Sequence, residues 1–205
     1  SRLAAPTTPL PSELPLIREK QSTFDLPGDS QRARWETSFR WETITSAWKE
    51  EETILKGTVE HGEKGEGAIK VPLFKKGGVY RLFYQTKDSF GAHFEVSRDF
   101  LVAGPGFEGL HLPLLAVAEY SQRIPGQTAS FLVHSGLPEQ TLFLEVFRGG
   151  KRVSKLLKSG LIELPVSLED RGGFTLSVHG LRDYQLLSAT VNENVPWLDR
   201  QLRVD

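Results

Sequence analysis

At 205 residues the chain is long enough for two small domains or one larger one, and 39% apolar with 25% charged residues describes a globular rather than a disordered chain. Its 25 Lys and Arg against 26 Asp and Glu leave a formal charge of −1, which removes the electrostatic reason to expect nucleic acid or an anionic membrane surface as a partner. The absence of cysteine excludes disulfides, thiolate metal sites, a cysteine nucleophile and an internal thioester, and suits an oxidising or envelope compartment.

The first thirty residues differ from the rest. Pro6, Pro9, Pro11 and Pro15 favour extended chain, and Pro27-Gly28-Asp29-Ser30 reads as a turn, so residues 1–30 are expected to be a lead-in packed along the first module. Residues 39–53 admit a short helical turn. Strands are predicted over 54–59, 68–71, 79–86 and 92–102, separated by the glycine-rich turn His61-Gly62 to Gly67, by Pro72, by Gly77-Gly78 and by the loop Lys87-Asp88-Ser89-Phe90-Gly91. Ala103-Gly104-Pro105-Gly106 marks a joint. Beyond it strands are predicted over 114–119, 129–134, 141–147, 152–157, 161–166, 174–179 and 187–191, with Gly149-Gly150 closing a hairpin. The expected organisation is all-β: after the lead-in, two tandem antiparallel β-sandwiches over 31–104 and 105–205.

A repeat supports the division. Ile69-Lys70-Val71-Pro72, then Gly77-Gly78-Val79-Tyr80, ends at Lys87-Asp88; Ile162-Glu163-Leu164-Pro165, then Gly172-Gly173-Phe174-Thr175, ends at Arg182-Asp183. The period of about 95 residues is that of a small antiparallel sandwich.

Chemistry is hard to find. The histidines, His61, His93, His111, His134 and His179, show no metal-ligand spacing, although His134 and His179 fall on predicted strands of one module and could approach each other. No Gly-x-Ser-x-Gly and no phosphate loop occurs; Glu63 and Glu66 would repel phosphate from the glycines between His61 and Gly67. Glu50-Glu51-Glu52 reads as a solvated strand edge rather than a facing carboxylate pair. Trp35, Phe39, Trp41 and Trp48, with Arg32, Arg34 and Arg40, form either core and inter-module packing or, if exposed, a platform for sugars or peptides; Trp35, Thr37, Phe39 and Trp41 would share one face of a strand. Arg148, Lys151, Arg152, Lys155 and Lys158 make a charged, exposed hairpin, with protease accessibility as its functional reading. No catalytic, cofactor-binding, metal or thioester residue is assigned, no cofactor is implied, and the chain is expected not to be an enzyme. With no methionine it is expected to be a processed or excised piece, any export signal or anchor lying upstream. No apolar run of about 18 residues offers a transmembrane segment.

Arg171-Gly172-Gly173-Phe174-Thr175-Leu176-Ser177-Val178-His179 and Asn194-Val195-Pro196-Trp197-Leu198-Asp199-Arg200-Gln201-Leu202-Arg203-Val204 resemble bacterial α2-macroglobulin-like proteins, in the large form common in Bacteroidetes. Pro125-Gly126-Gln127-Thr128-Ala129 with Ser135-Gly136-Leu137 is similar to the start of the same module, and Gly78-Val79-Tyr80-Arg81-Leu82 with Thr86-Lys87-Asp88 to the module before it. The resemblance implies two seven-stranded macroglobulin domains, antiparallel β-sandwiches akin to fibronectin type III, from the middle of a much longer, exported protease inhibitor, periplasmic or anchored in the outer membrane. Such a protein traps proteases after a bait segment is cut. These residues would then be scaffold, their partners being neighbouring domains of the same chain and, through the full-length parent, target proteases. The Cys-x-Glu-Gln thioester motif of many members is absent, and no long bait insertion is present. Two alternatives follow from the residues alone: a tandem sandwich module recognising glycan or peptide at the cell surface, and a chaperone-like module with a free strand edge that accepts a partner strand.

Overall fold

The computed structural model describes residues 1–10, 36–88, 90–183 and 185–197. Trp35, Arg32, Arg34, most of the expected lead-in and the end of the Val-Pro-Trp stretch lie outside the described residues. The chain is all-β, built from antiparallel sheets, and divides into two units: Ser1–Thr7 with Glu42–Leu110, and Thr8–Trp41 with His111–Asp205.

The first unit carries one four-stranded sheet among the described residues. Its strands are β1 (Arg2–Leu3), β2 (Glu50–Glu52), β3 (Gly78–Lys87) and β4 (His93–Val102), in the order β2-β1-β3-β4. Part of the lead-in is therefore an interior strand: Leu3 is buried and Arg2 pairs with both Glu52 and Tyr80. A short helix, α1 (Trp41–Thr45), precedes β2 in the region left open to a helical turn. β3 and β4 form a hairpin from Gly78↔Val102 to Lys87↔His93, whose turn is held by Asp88 Oδ1 accepting the N–H groups of Phe90 and Ala92.

Within this unit Arg81 faces Asp99 across the hairpin and holds it at two points, Nε to Oδ1 at 2.6 Å and Nη2 to Oδ2 at 2.9 Å. Arg81 Nη2 also donates to the carbonyl of Thr45, and the Thr45 hydroxyl donates to Asp99, so one ion pair fastens α1 to the hairpin. Residues 54–59 and 68–71 are not strands. Leu55, Ile69 and Val71 are all exposed, so no buried face exists to choose a pairing register. The Gly-Gly step before β3 has a steric reason: a Cβ on Gly77 would lie 2.4 Å from the carbonyl oxygen of Gly104. Phe107 and Leu110, beyond the expected joint at 103–106, are buried, and the divide falls after Leu110.

The second unit is a seven-stranded sandwich. One sheet runs β11-β10-β7-β8, from β7 (Leu142–Arg148), β8 (Lys151–Leu157), β10 (Phe174–Arg182) and β11 (Gln185–Glu193). The other runs β5-β6-β9, from β5 (Leu115–Ala118), β6 (Thr128–His134) and β9 (Gly160–Pro165). All seven correspond to predicted strands. Phe174, Leu176 and Val178 point inward with Leu142, Leu144 and Val146 of β7, against Phe131 and Val133 of β6. Leu10 and Phe39, distant in sequence, complete this core. The Gly-Gly step before β10 repeats the earlier logic, because a Cβ on Gly173 would lie 2.4 Å from the carbonyl oxygen of Glu193. Of the proposed repeat, the Gly-Gly-to-Asp half opens a hairpin in both units, whereas Ile69 to Pro72 is irregular and Ile162 to Pro165 lies in β9.

Candidate functional site

The same alternation that fills the second unit's core leaves a patterned outer face. While Leu142, Leu144 and Val146 of β7 turn inward, Phe143, Glu145 and Phe147 turn out. Register sets their neighbours. Phe143 lies between His179 of β10 and Leu156 of β8, Glu145 between Ser177 and Ser154, and Phe147 between Thr175 and Arg152. At one end of the face Leu181 pairs with Leu186. Phe143, Phe147, Leu156, Leu181 and Leu186 are all between 39% and 70% exposed, an unusual concentration of large apolar side chains on a sheet face that water reaches.

Glu145 sits at the centre and is only 17% exposed. Arg152 Nη1 lies 3.3 Å from its Oε1, and His179 Nε2 lies 3.3 Å from its Oε2, an ion pair whenever the imidazole carries a proton. The Arg152 guanidinium also lies over the Phe147 ring at 5.8 Å, and the His179 ring leans towards Phe143 with centroids 6.5 Å apart. The carboxylate thus organises a guanidinium, an imidazole and two aromatic rings. None of these groups forms a nucleophile–base pair.

Beside this cluster the face dips into an open depression of about 650 Å³, lined by Phe143, Leu156, Leu181 and Leu186 with Gln140 and Arg182 at its rim. Gln140 Nε2 donates to the carbonyl of Thr141 at 2.6 Å, while its Oε1 is buried and has no hydrogen-bond partner. An acceptor of that kind calls for a donor.

Away from the face, the other polar groups are structural. Asp170 is 1% exposed and is gripped by Arg148 through both carboxylate oxygens; it also accepts from the Ser167 N–H at 2.6 Å and the Ser167 hydroxyl at 2.9 Å. Those hydrogen bonds, that from Arg148 foremost, hold its carboxyl below the usual range despite burial. Glu193 is 2% exposed with Oε1 unpartnered, and burial pushes its carboxyl up against the opposing charge of Arg123.

The residues singled out in the sequence do not converge. His134 is buried at the end of β6 in one sheet, whereas His179 faces outward from the other, so the two strand histidines do not pair. Among the described residues no group of three or more His, Asp or Glu is placed to hold a metal. The Trp-rich segment does not present one strand face: Trp41 opens α1, Trp48 is buried, and Phe39 packs against the second unit's core. Glu50-Glu51-Glu52 is the outer strand β2, exposed at each position, as the sequence suggests. In the basic hairpin, Lys151 to Leu156 are exposed along β8, but Arg148 is committed to Asp170. Missed entirely were the outer face and Gln140. The clue was present, since Phe143, Glu145 and Phe147 alternate against a leucine–valine series too apolar for both sides to be core.

Two quoted motif pieces do meet. Gly172 N–H donates to the Val195 carbonyl at 2.9 Å, Val195 enters the core, and the Arg171 guanidinium lies over the Trp197 ring at 5.8 Å. No family model and no curated protein matches the chain. Among solved structures it is similar to one described as the structural basis for Dscam isoform specificity, at 16% identity and a TM-score of 0.30, covering 58% of this chain and 27% of that one. It is also similar to the N-terminal four Ig domains of Dscam1 isoform 9.44, at 17% identity and a TM-score of 0.28, covering 74% and 34%. The chain spans only about a third or less of either, and at such TM-scores the fold stands on the strand topology above.

Proposed function

We propose that this chain is a non-catalytic recognition module that binds a polypeptide through the outer face of the β11-β10-β7-β8 sheet. The observation that carries the reading is the grouping of Phe143, Leu156, Leu181 and Leu186 around one open depression. A monomer gains nothing from leaving these side chains in water, whereas a partner that covers them gains about half of the roughly 1.5–3 kcal/mol that full burial of each is worth, since each is already partly covered. Arg182 and the Glu145 cluster would set orientation, as a few placed polar groups do in an apolar site. The test is selection of displayed peptides on the full chain, with a glycan array in parallel. Peptides retained by the wild type and lost with Phe143→Asp are expected. Glycan binding alone, or peptide binding that survives Phe143→Asp, would overturn the reading.

A second reading is that the chain is scaffold within an α2-macroglobulin-like, exported protease inhibitor, the same face then meeting a neighbouring module. It is favoured by the seven-stranded second unit, by the contact between the Arg171-Gly172-Gly173 and Val195-Pro196-Trp197 pieces, and by their resemblance to that family. In that case the face would resist modification in the full-length parent, and a single early proteolytic cut elsewhere in the parent would be followed by compaction.

A further inference from the structure

The outermost strand of the same sheet, β8, pairs with β7 on one side and with nothing on the other among the described residues. The opposite edge is treated differently. Ser188 N–H donates to the Thr37 carbonyl at 2.8 Å, and Ser38 bridges Ser188 in parallel, so the chain itself lies along β11. One edge is covered, and among the described residues the other is bare.

The hairpin geometry identifies which groups the bare edge offers. β7 and β8 are joined by Gly149 and Gly150 with φ of +54° and +72°, a two-residue turn of the primed kind in which the closing pair Arg148↔Lys151 is hydrogen-bonded. Bonded and non-bonded pairs then alternate along the ladder. Lys151, Val153 and Lys155 direct their backbone groups to β7, whereas Arg152, Ser154 and Leu156 turn their N–H and C=O outward.

Side chains on this edge combine grip with charge. Val153 and Leu156 are 65% and 70% exposed, and Lys151 and Lys155 share the face that carries Val153. Lysine on an edge strand normally prevents pairing with another copy. That protection is electrostatic: it acts against neutral or basic strands and becomes attraction for an acidic one.

We propose that β8 accepts an acidic, extended polypeptide segment as an additional strand of the sheet. The segment would hydrogen-bond to the backbone of Arg152, Ser154 and Leu156, set carboxylates beside Lys151 and Lys155 on one face, and place apolar side chains beside Leu156 on the other. The proposal goes beyond the face reading and does not require it, because it rests on the backbone edge and the lysines rather than on Phe143.

The experiment is fluorescence anisotropy on the full chain with three labelled probes: a peptide alternating glutamate and valine, its lysine–valine counterpart, and single-stranded oligothymidylate. The glutamate peptide alone is expected to bind, more weakly as salt is raised. Ser154→Pro removes an outward N–H without breaking a bond to β7, and Lys151→Glu with Lys155→Glu reverses the charge. Each is expected to weaken binding about tenfold or more, the scale of one or two lost hydrogen bonds or ion pairs. Phe90→Ser, at a side chain 94% exposed in the β3–β4 turn, is expected to leave binding unchanged, and loss of binding in Lys151→Glu with Lys155→Glu, whose side chains lie on the opposite face of the sheet from Phe143, separates this inference from the face reading. Hydrogen exchange gives a readout that needs no variant: the Arg152, Ser154 and Leu156 amides should become protected when the glutamate peptide is added. Absence of that protection, full binding by Ser154→Pro, or equal binding of oligothymidylate would each overturn the proposal. So would self-association that Ser154→Pro abolishes, in the absence of peptide binding.

Discussion

Glu193 and Asp170 are both almost fully buried carboxylates of the same unit, and their surroundings drive them in opposite directions. Asp170 has a donor for each oxygen, while Glu193 Oε1 has none among the described residues and its charge is offset by Arg123. A carboxyl raised above its unfolded value costs nothing while both states are protonated, and costs stability once pH rises through the folded value. Glu193→Gln is therefore expected to stabilise the chain at neutral pH by on the order of 1 kcal/mol and to have no effect below the ordinary carboxylate range. Urea melts at the two pH values check this; an equal gain at both would mean that ionisation is not the cause. Neither environment is visible in the sequence, where Glu193 and Asp170 are two acids among 26.

At the scale of elements, one ion pair ties the end of β7 to the 3-10 turn Leu168–Asp170 that leads into β10, and the Arg148 guanidinium also lies over the Phe174 ring at 5.4 Å. Removing the cation leaves a carboxylate that is 1% exposed without its main partner. Arg148→Ala is expected to cost about 3–5 kcal/mol, measured by denaturant unfolding. Because Asp170 is held below the usual carboxylate range, its contribution is present above that range and disappears as pH falls through the folded value. The penalty of Arg148→Ala should therefore shrink in acid, and a penalty independent of pH would assign it to lost packing instead. The strands around this tie were legible because hydrophobic alternation and Gly-Gly turns are local signals. Residues 54–59 and 68–71 carried the same β-branched composition, yet no core lies beneath them to convert it into pairing. The candidate face was only half legible: alternation shows which side chains leave the core, but not that Leu156, Leu181 and Leu186 gather round Phe143.

For the whole molecule, chain order and spatial order part company. Leu3 belongs to the first unit's sheet, but Leu10 and Phe39 belong to the second unit's core, which otherwise begins at His111. A fragment beginning at His111 keeps all seven strands but loses Leu10 and the cover along β11. It is expected to be less stable by about 2–3 kcal/mol, the worth of one buried leucine and the nearby contacts, with faster hydrogen exchange of the β11 amides around Ser188. Unchanged exchange there would mean that Thr37 and Ser38 do not protect the edge. The sequence by itself determined the all-β class and the seven strands of the second unit, because short β-branched and aromatic runs bounded by glycine, proline and aspartate are local signals. Tertiary structure alone decided which edge is covered, which carboxylates are paired and which apolar side chains stay in water. Those properties depend on residues far apart in the chain, whose meeting no local pattern records.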